Sequence, residues 1–180
     1  MRKYREEHMN LSFLKYDFIS EMKRNNYNWH DILFALENQI IKTEDVIDYS
    51  VCILNEGILG FEIVLEISCL DSNEDVYPYL YDLIELEKGK YLSDVKDKWL
   101  YLILKWLYEN KHLIQNIMDI VEEVYEIFDY PDSIISFVRY MPSEEGDLGS
   151  PELNKEKLFK NWKKYLELYK EEYQNNSNEK

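Results

Sequence analysis

Phe61-Glu62-Ile63-Val64-Leu65-Glu66-Ile67-Ser68-Cys69-Leu70 decides the fold class of this chain. Phe61, Ile63, Leu65, Ile67 and Cys69 alternate as one face of a strand does, while Ile63, Val64, Ile67 and Leu70 fit a helix equally well. A strand needs a partner, and a lone one has no stability in water. No second strand-like run stands elsewhere in the sequence to pair with it. The stretch therefore reads as a helix and the chain as all-α. The low count of turn formers, 5 Gly and 4 Pro in 180 residues, agrees with this.

Working towards the N-terminus, Gly57 and Gly60 bracket a turn. Ahead of it a helix starts with Thr43 as its cap and Glu44 and Asp45 in its first turn, where carboxylates favour the positive end of the helix dipole. Val46, Ile47, Ile53 and Leu54 form its apolar face. Asn28, with Asp31 three positions later, marks another start, followed by Trp29, Ile32, Leu33 and Leu36 at i, i+3, i+4, i+7. Leu11, Leu14, Phe18 and Met22 predict a first helix over about 11–24.

Towards the C-terminus, Asp71-Ser72-Asn73 breaks the pattern. A helix beginning at 75–77 then places Pro78 in its first turn, where its missing N–H costs nothing, and Lys88-Gly89-Lys90 ends it. Ser93 caps a strongly apolar, central helix to about Asn110, carrying Val95, Trp99, Leu102 and Trp106 on one face. Asn116 caps the next. Ile117, Ile120, Val121, Val124, Ile127 and Phe128 face inward, and Asp119, Glu122, Glu123 and Glu126 face water. Pro131 fits the first position of a short helix with Ile134, Ile135 and Val138. Ser150-Pro151-Glu152 opens the last helix, with Leu158, Trp162, Tyr165, Tyr169 and Tyr173 along it. The expected architecture is eight or nine helices packed as antiparallel hairpins, either a curved α-solenoid-like stack or an irregular bundle. Residues 1–10 read as a flexible N-terminus, 11–173 as one helical domain with a surface loop at 143–150, and 174–180 as a disordered tail.

The net charge of −15 is unevenly spread. Residues 1–30 sum to +2, residues 31–150 to −18 and residues 151–180 to +1. An acidic centre repels nucleic acid and anionic membrane and speeds encounter with basic proteins, although acidity also serves plain solubility. No run of 18 apolar residues and no apolar stretch behind the basic N-terminus is present, so the expected location is the cytoplasm. Cys52 and Cys69 both lie in apolar runs and read as buried, inert thiols.

No catalytic or cofactor signature emerges, and the chain reads as a non-enzyme without cofactor. His8, His30 and His112 have no convincing zinc spacing and read as surface or helix-end residues. The five glycines open no phosphate loop and no nucleophile elbow is present. Asp119, Glu122, Glu123 and Glu126 share a face, but it is opposite the apolar one and so points away from any bundle interior where a di-metal centre would form. Tyrosine is over-represented, at 16 residues. Tyr77, Tyr79 and Tyr81 cluster, and Tyr125 and Tyr130 flank the acidic helix end. Tyrosine suits binding surfaces, but it equally covers the edge of a core with its hydroxyl in water. Arg139 stands out as a cation in the acidic centre. A salt bridge to Asp129 or Asp132 accounts for it, and an interface anchor is the alternative.

Val124-Tyr125-Glu126-Ile127-Phe128-Asp129-Tyr130-Pro131 and Phe137-Val138-Arg139-Tyr140-Met141-Pro142, together with Trp29-His30-Asp31-Ile32, Ile41-Lys42-Thr43-Glu44-Asp45-Val46 and Lys98-Trp99-Leu100-Tyr101-Leu102, resemble the bacterial domain-of-unknown-function family twenty-two forty-seven over roughly residues 11–166. The resemblance implies a small intracellular bacterial domain and brings no catalytic residues. Its size and acidity are similar to those of immunity proteins that neutralise secreted toxins, an analogy of type rather than of sequence. The sequence thus points to an acidic binding protein, monomer or weak dimer, that neutralises a basic toxin domain such as a nuclease. Asp119, Glu122, Glu123, Glu126 and Asp129 supply the charge, Tyr125 and Tyr130 the aromatic contacts and Arg139 an anchor. A helical scaffold of unknown cellular role is the alternative.

Overall fold

The computed structural model describes residues 11–174, apart from 15, 23, 26, 56, 88–94 and 142–145. Every regular element among them is helical, and the fold is all-α. The chain divides into two compact units, residues 1–95 and 96–180. The expected helix end at Lys88-Gly89-Lys90, the cap at Ser93 and the tail beyond Gln174 lie outside the described residues.

Unit 1 starts with a 3-10 turn, Ser12–Leu14, followed by α1 (Phe18–Glu21), α2 (Trp29–Glu37), α3 (Thr43–Ile53), α4 (Phe61–Ser68) and α5 (Tyr77–Leu86). The single helix expected over 11–24 is therefore broken. Asp17 is the cause: its carboxylate accepts from Ser20 N at 3.1 Å and from Ser20 Oγ at 2.8 Å, which restarts the chain as a short helix. Leu11, Leu14 and Phe18 are still buried, so the apolar pattern marked the core correctly but not the backbone path.

The start of α2 is as the sequence predicts. Asn28 Oδ1 accepts from Asp31 N at 2.9 Å and Asp31 Oδ2 accepts from Asn28 N at 2.8 Å, a reciprocal capping box. At α3 the cap shifts by one residue. Lys42 is the N-cap, Thr43 the first helical residue, and Asp45 Oδ2 accepts from Lys42 N at 2.8 Å. Phe61–Ser68 is a helix, with Val64 and Ile67 fully buried. Gly60 precedes it with φ +74°, and a Cβ there would lie 2.6 Å from Leu83 Cδ2, so the turn needs glycine for conformation and for space. Pro78 sits in the first turn of α5.

Within unit 1, α3 packs on α4, α4 on α5, and α5 returns to α2. That closure makes the unit an irregular bundle rather than an open stack in which each repeat touches its neighbours alone. Tyr49 joins the elements. Its ring lies 5.7 Å from Trp29, 6.0 Å from Phe18 and 6.2 Å from Tyr27, and its hydroxyl donates to the Tyr27 carbonyl at 2.9 Å.

Unit 2 contains α6 (Val95–Glu109), α7 (Ile117–Ile127), a 3-10 helix (Asp132–Phe137) and α8 (Pro151–Gln174). Helix α6 is buried nearly all round, with Trp99, Leu100, Tyr101, Leu102, Ile103, Leu104 and Leu107 at 2% exposure or less. The segment after Pro131 is a 3-10 helix with Pro131 as its N-cap, not an α-helix with Pro131 inside. It packs on α8. Phe137 stacks on Trp162, ring centres 5.7 Å apart and planes 4° from parallel, while Tyr108 meets Trp162 edge-on at 5.3 Å. Asn161 Nδ2 donates to the Ser136 carbonyl at 2.8 Å, which fixes the register of α8 against the turn.

Cys52 and Cys69 are both exposed, contrary to the reading of buried thiols. Apolar neighbours in sequence misled here: Cys52 follows exposed Val51 on the outer side of α3, and Cys69 is the C-cap of α4.

Candidate functional site

The acidic side chains of α7 do point outward. Asp119, Glu123 and Glu126 are exposed, while Ile117, Met118, Val121, Val124 and Tyr125 are buried. The amphipathic split follows from the sequence period alone. The cap does not: Asn116 takes a left-handed backbone, φ 55°, and its side chain makes no cap bond.

Arg139 is the first organising feature. Its Nε donates to Glu122 Oε1 at 2.7 Å, its Nη2 to Glu122 Oε2 at 2.8 Å, and Nη2 also donates to Asp119. The partners expected from sequence, Asp129 and Asp132, are not the ones it takes. A residue following the 3-10 helix reaches back to the first half of α7, whereas the sequence favoured carboxylates nearer in the chain. Glu122 first, then Asp119, hold the guanidinium even more firmly in its charged form. Two of the five patch carboxylates thus share one internal positive charge.

The second feature is a tyrosine trio. Helix α7 ends in two consecutive left-handed residues, Asp129 (φ 66°) and Tyr130 (φ 55°), with Tyr130 N donating to the Tyr125 carbonyl at 2.9 Å. This turn swings the Tyr130 ring out, 55% exposed, to lie 5.3 Å from Tyr125 at 86°. Tyr140 lies 6.2 Å from Tyr125 and is 53% exposed. Tyr125, expected as a contact residue, is 3% exposed and is instead the base that positions the other two. The Tyr140 phenol is pushed above its ordinary value, first by loss of water on one side and then by Glu126. Tyr140 was missed as a site residue because nothing in its local pattern distinguishes it. Its place depends on a contact across the turn.

The geometry thus unites Tyr125 with Tyr130 and adds Tyr140, with Glu126 beside them. It unites Asp119, Glu122 and Arg139 in a separate clip. Glu123 and Asp129 remain as exposed carboxylates of the same segment.

The family model described as "Uncharacterized protein conserved in bacteria (DUF2247)" matches residues 16–170. The chain belongs to this family. No curated protein and no solved structure matches it. DUF2247 membership therefore brings this chain no assigned chemistry, and the site must be argued from its residues.

Those residues show little that resembles a catalytic centre. Among the described residues, no group of three or more His, Cys, Asp or Glu side chains is placed to hold a metal, and no helix is long and apolar enough to cross a membrane. A Glu-x-x-His spacing does occur at Glu109 and His112, but α6 closes at Glu109 and His112 is an exposed residue beyond it. In unit 1 a hollow of about 610 Å³ contains Cys52 and Glu87, but Glu87 Oε2 already accepts from Trp29 N at 2.9 Å.

Proposed function

We propose that this DUF2247 member is a non-catalytic binding protein of the immunity type, which acts in the cytoplasm by holding a basic toxin domain against the Tyr130–Tyr140 face. One observation carries the reading: two half-exposed tyrosines are fixed over a buried third, beside carboxylates left unneutralised by Arg139. Tyrosines pre-set in this way lose little rotamer freedom on binding, and they supply area at the centre of an interface. Glu123, Glu126 and Asp129 around them favour a basic partner and fast, salt-sensitive encounter. A nuclease is the fitting class of toxin, since its cleft already accepts negative charge. Nothing about the face calls for bond making, so the reading is one of occupancy rather than turnover.

The test is capture of partner proteins on immobilised full-length chain at about 0.05 M and about 0.5 M salt, where screening lengths differ about threefold. A basic protein held better at low salt, lost with Tyr130→Ala/Tyr140→Ala and with Glu123→Gln/Glu126→Gln/Asp129→Asn, is the expected result. Glu62→Gln/Glu66→Gln, which removes charge from α4 in unit 1, should leave capture unchanged. Retention by both α7-face variants would defeat the assignment, and partners that ignore salt altogether would shift it to a helical scaffold.

A further inference from the structure

Beside the other end of α7 is a groove whose charged lining is mainly cationic. It lies in unit 2, about 970 Å³ in volume, between the start of α7, the 3-10 helix and the start of α8. Its apolar lining includes Met118, Ile135, Val138, Leu158 and Phe159. Its charged lining among the described residues is Lys111, Lys155 and Lys157 against one carboxylate, Asp147, with Arg139 already paired to Glu122 and Asp119. That balance is the reverse of a chain with net charge −15. Asp147 is occupied by the protein itself. Asn154 Nδ2 and Gly149 N donate to it, and these bonds hold its carboxyl below the usual range. Lys111 donates to the Tyr108 carbonyl at 2.9 Å and lies 3.8 Å above the Tyr108 ring, contacts that orient an ammonium without cancelling its charge.

Two helix starts add to this field. Asn116 and Ile117 at the head of α7, and Pro151 and Asn154 at the head of α8, all line the groove, so two positive dipole ends meet where the lysines stand. We propose that this groove binds an acidic amphipathic helix of a protein partner, its apolar face on Leu158, Phe159 and Ile135 and its carboxylates on Lys111 and Lys155. Charge complementarity selects the acid. Shape favours the helix: the groove is about half open to solvent, whereas small-molecule sites enclose most of their ligand's surface, and unit 2 offers no sheet edge to an extended peptide among its described residues.

The inference is independent of the Tyr130–Tyr140 face and is tested separately. The probes are three fluorescein-labelled amphipathic peptides of roughly 18 residues, long enough to form a helix, sharing one leucine face and flanked by Glu, Gln or Lys. Anisotropy is read on the full-length protein. The Glu peptide should saturate, the Gln peptide should bind about tenfold more weakly and the Lys peptide not at all. Lys111→Glu/Lys155→Glu should reverse the order and make the Lys peptide the better ligand, a gain that a misfolded variant cannot give. Glu62→Gln/Glu66→Gln, in unit 1, should bind the Glu peptide like wild type. Equal binding of all three peptides, absence of saturable binding, or saturation by free dodecanoate with none by the Glu peptide would each overturn the proposal, the last in favour of a small amphiphilic anion.

Discussion

Arg139 and Glu122, 17 residues apart in sequence, form a two-point ion pair in which Nε donates to Oε1 at 2.7 Å and Nη2 to Oε2 at 2.8 Å. The pair ties the chain after the 3-10 helix to the middle of α7, and it sets how much negative charge the helix shows to solvent.

Arg139→Ala should therefore act in two opposite directions. Loss of the clip should lower stability by about 1 kcal/mol, the upper range for an ion pair with one partly shielded partner, measured by urea unfolding. The freed charges of Glu122 and Asp119 should at the same time strengthen low-salt association with a basic partner. Arg139→Lys should recover less than half of the stability, because an ammonium cannot make the fork.

The left-handed pair at Asp129 and Tyr130 predicts an unusual glycine effect. Asp129→Gly should leave stability unchanged or raise it by about 0.5 kcal/mol, since glycine adopts φ near 66° without strain. Asp129→Val should lower it by about 1–3 kcal/mol, because a β-branched residue resists that conformation. Thermal unfolding followed by circular dichroism distinguishes the two.

Gly60→Ala should be far more costly than an ordinary surface substitution. The added Cβ meets Leu83 Cδ2 at 2.6 Å and Leu86 Cδ1 at 3.0 Å on a backbone with φ +74°. A loss of about 2–4 kcal/mol in urea unfolding is expected from combined strain and overpacking. A change below about 0.5 kcal/mol would mean that the α4–α5 corner is not packed as described.

Alkaline pH should unfold the protein through its buried tyrosines. Burial raises Tyr27, Tyr49 and Tyr165 above the ordinary phenol value of 10.0, and burial followed by Glu109 pushes Tyr101 up to about 12. The sign follows from linkage: the folded state holds these protons more tightly than the unfolded state, so the stability they contribute is complete below pH 10 and declines as pH rises beyond it. Ultraviolet titration should show the phenols of Tyr27, Tyr49, Tyr101 and Tyr165 ionising late, together with loss of helix. Ionisation of all tyrosines in one step near pH 10 without unfolding would contradict the burial.

Local signals carried much of the fold. The Asn28–Asp31 box, Pro78 in the first turn of α5 and the outward acids of α7 are each settled by residues within one turn of each other. Phe61–Ser68 needed a wider argument, the lack of any strand to pair with, and that held. The failures share a cause. Asp17 diverts a helix with two side-chain bonds to Ser20 that compete with the apolar period of Leu11, Leu14 and Phe18. Arg139 chooses Glu122 over nearer acids, and Tyr140 joins Tyr125, through contacts that arise only after the chain turns at Tyr130. Burial of the cysteines was inferred from neighbours in sequence, which are not their neighbours in space.

The division at residue 95 also splits the chain's natural labels. Of the four tryptophans, Trp29 alone belongs to unit 1, while Trp99, Trp106 and Trp162 belong to unit 2; both thiols, Cys52 and Cys69, belong to unit 1. Indole emission is thus weighted towards the C-terminal half, and a thiol-attached dye reports on the N-terminal half. Following both colours in one denaturant titration would reveal whether the halves melt as one cooperative body or in sequence, without altering a single residue.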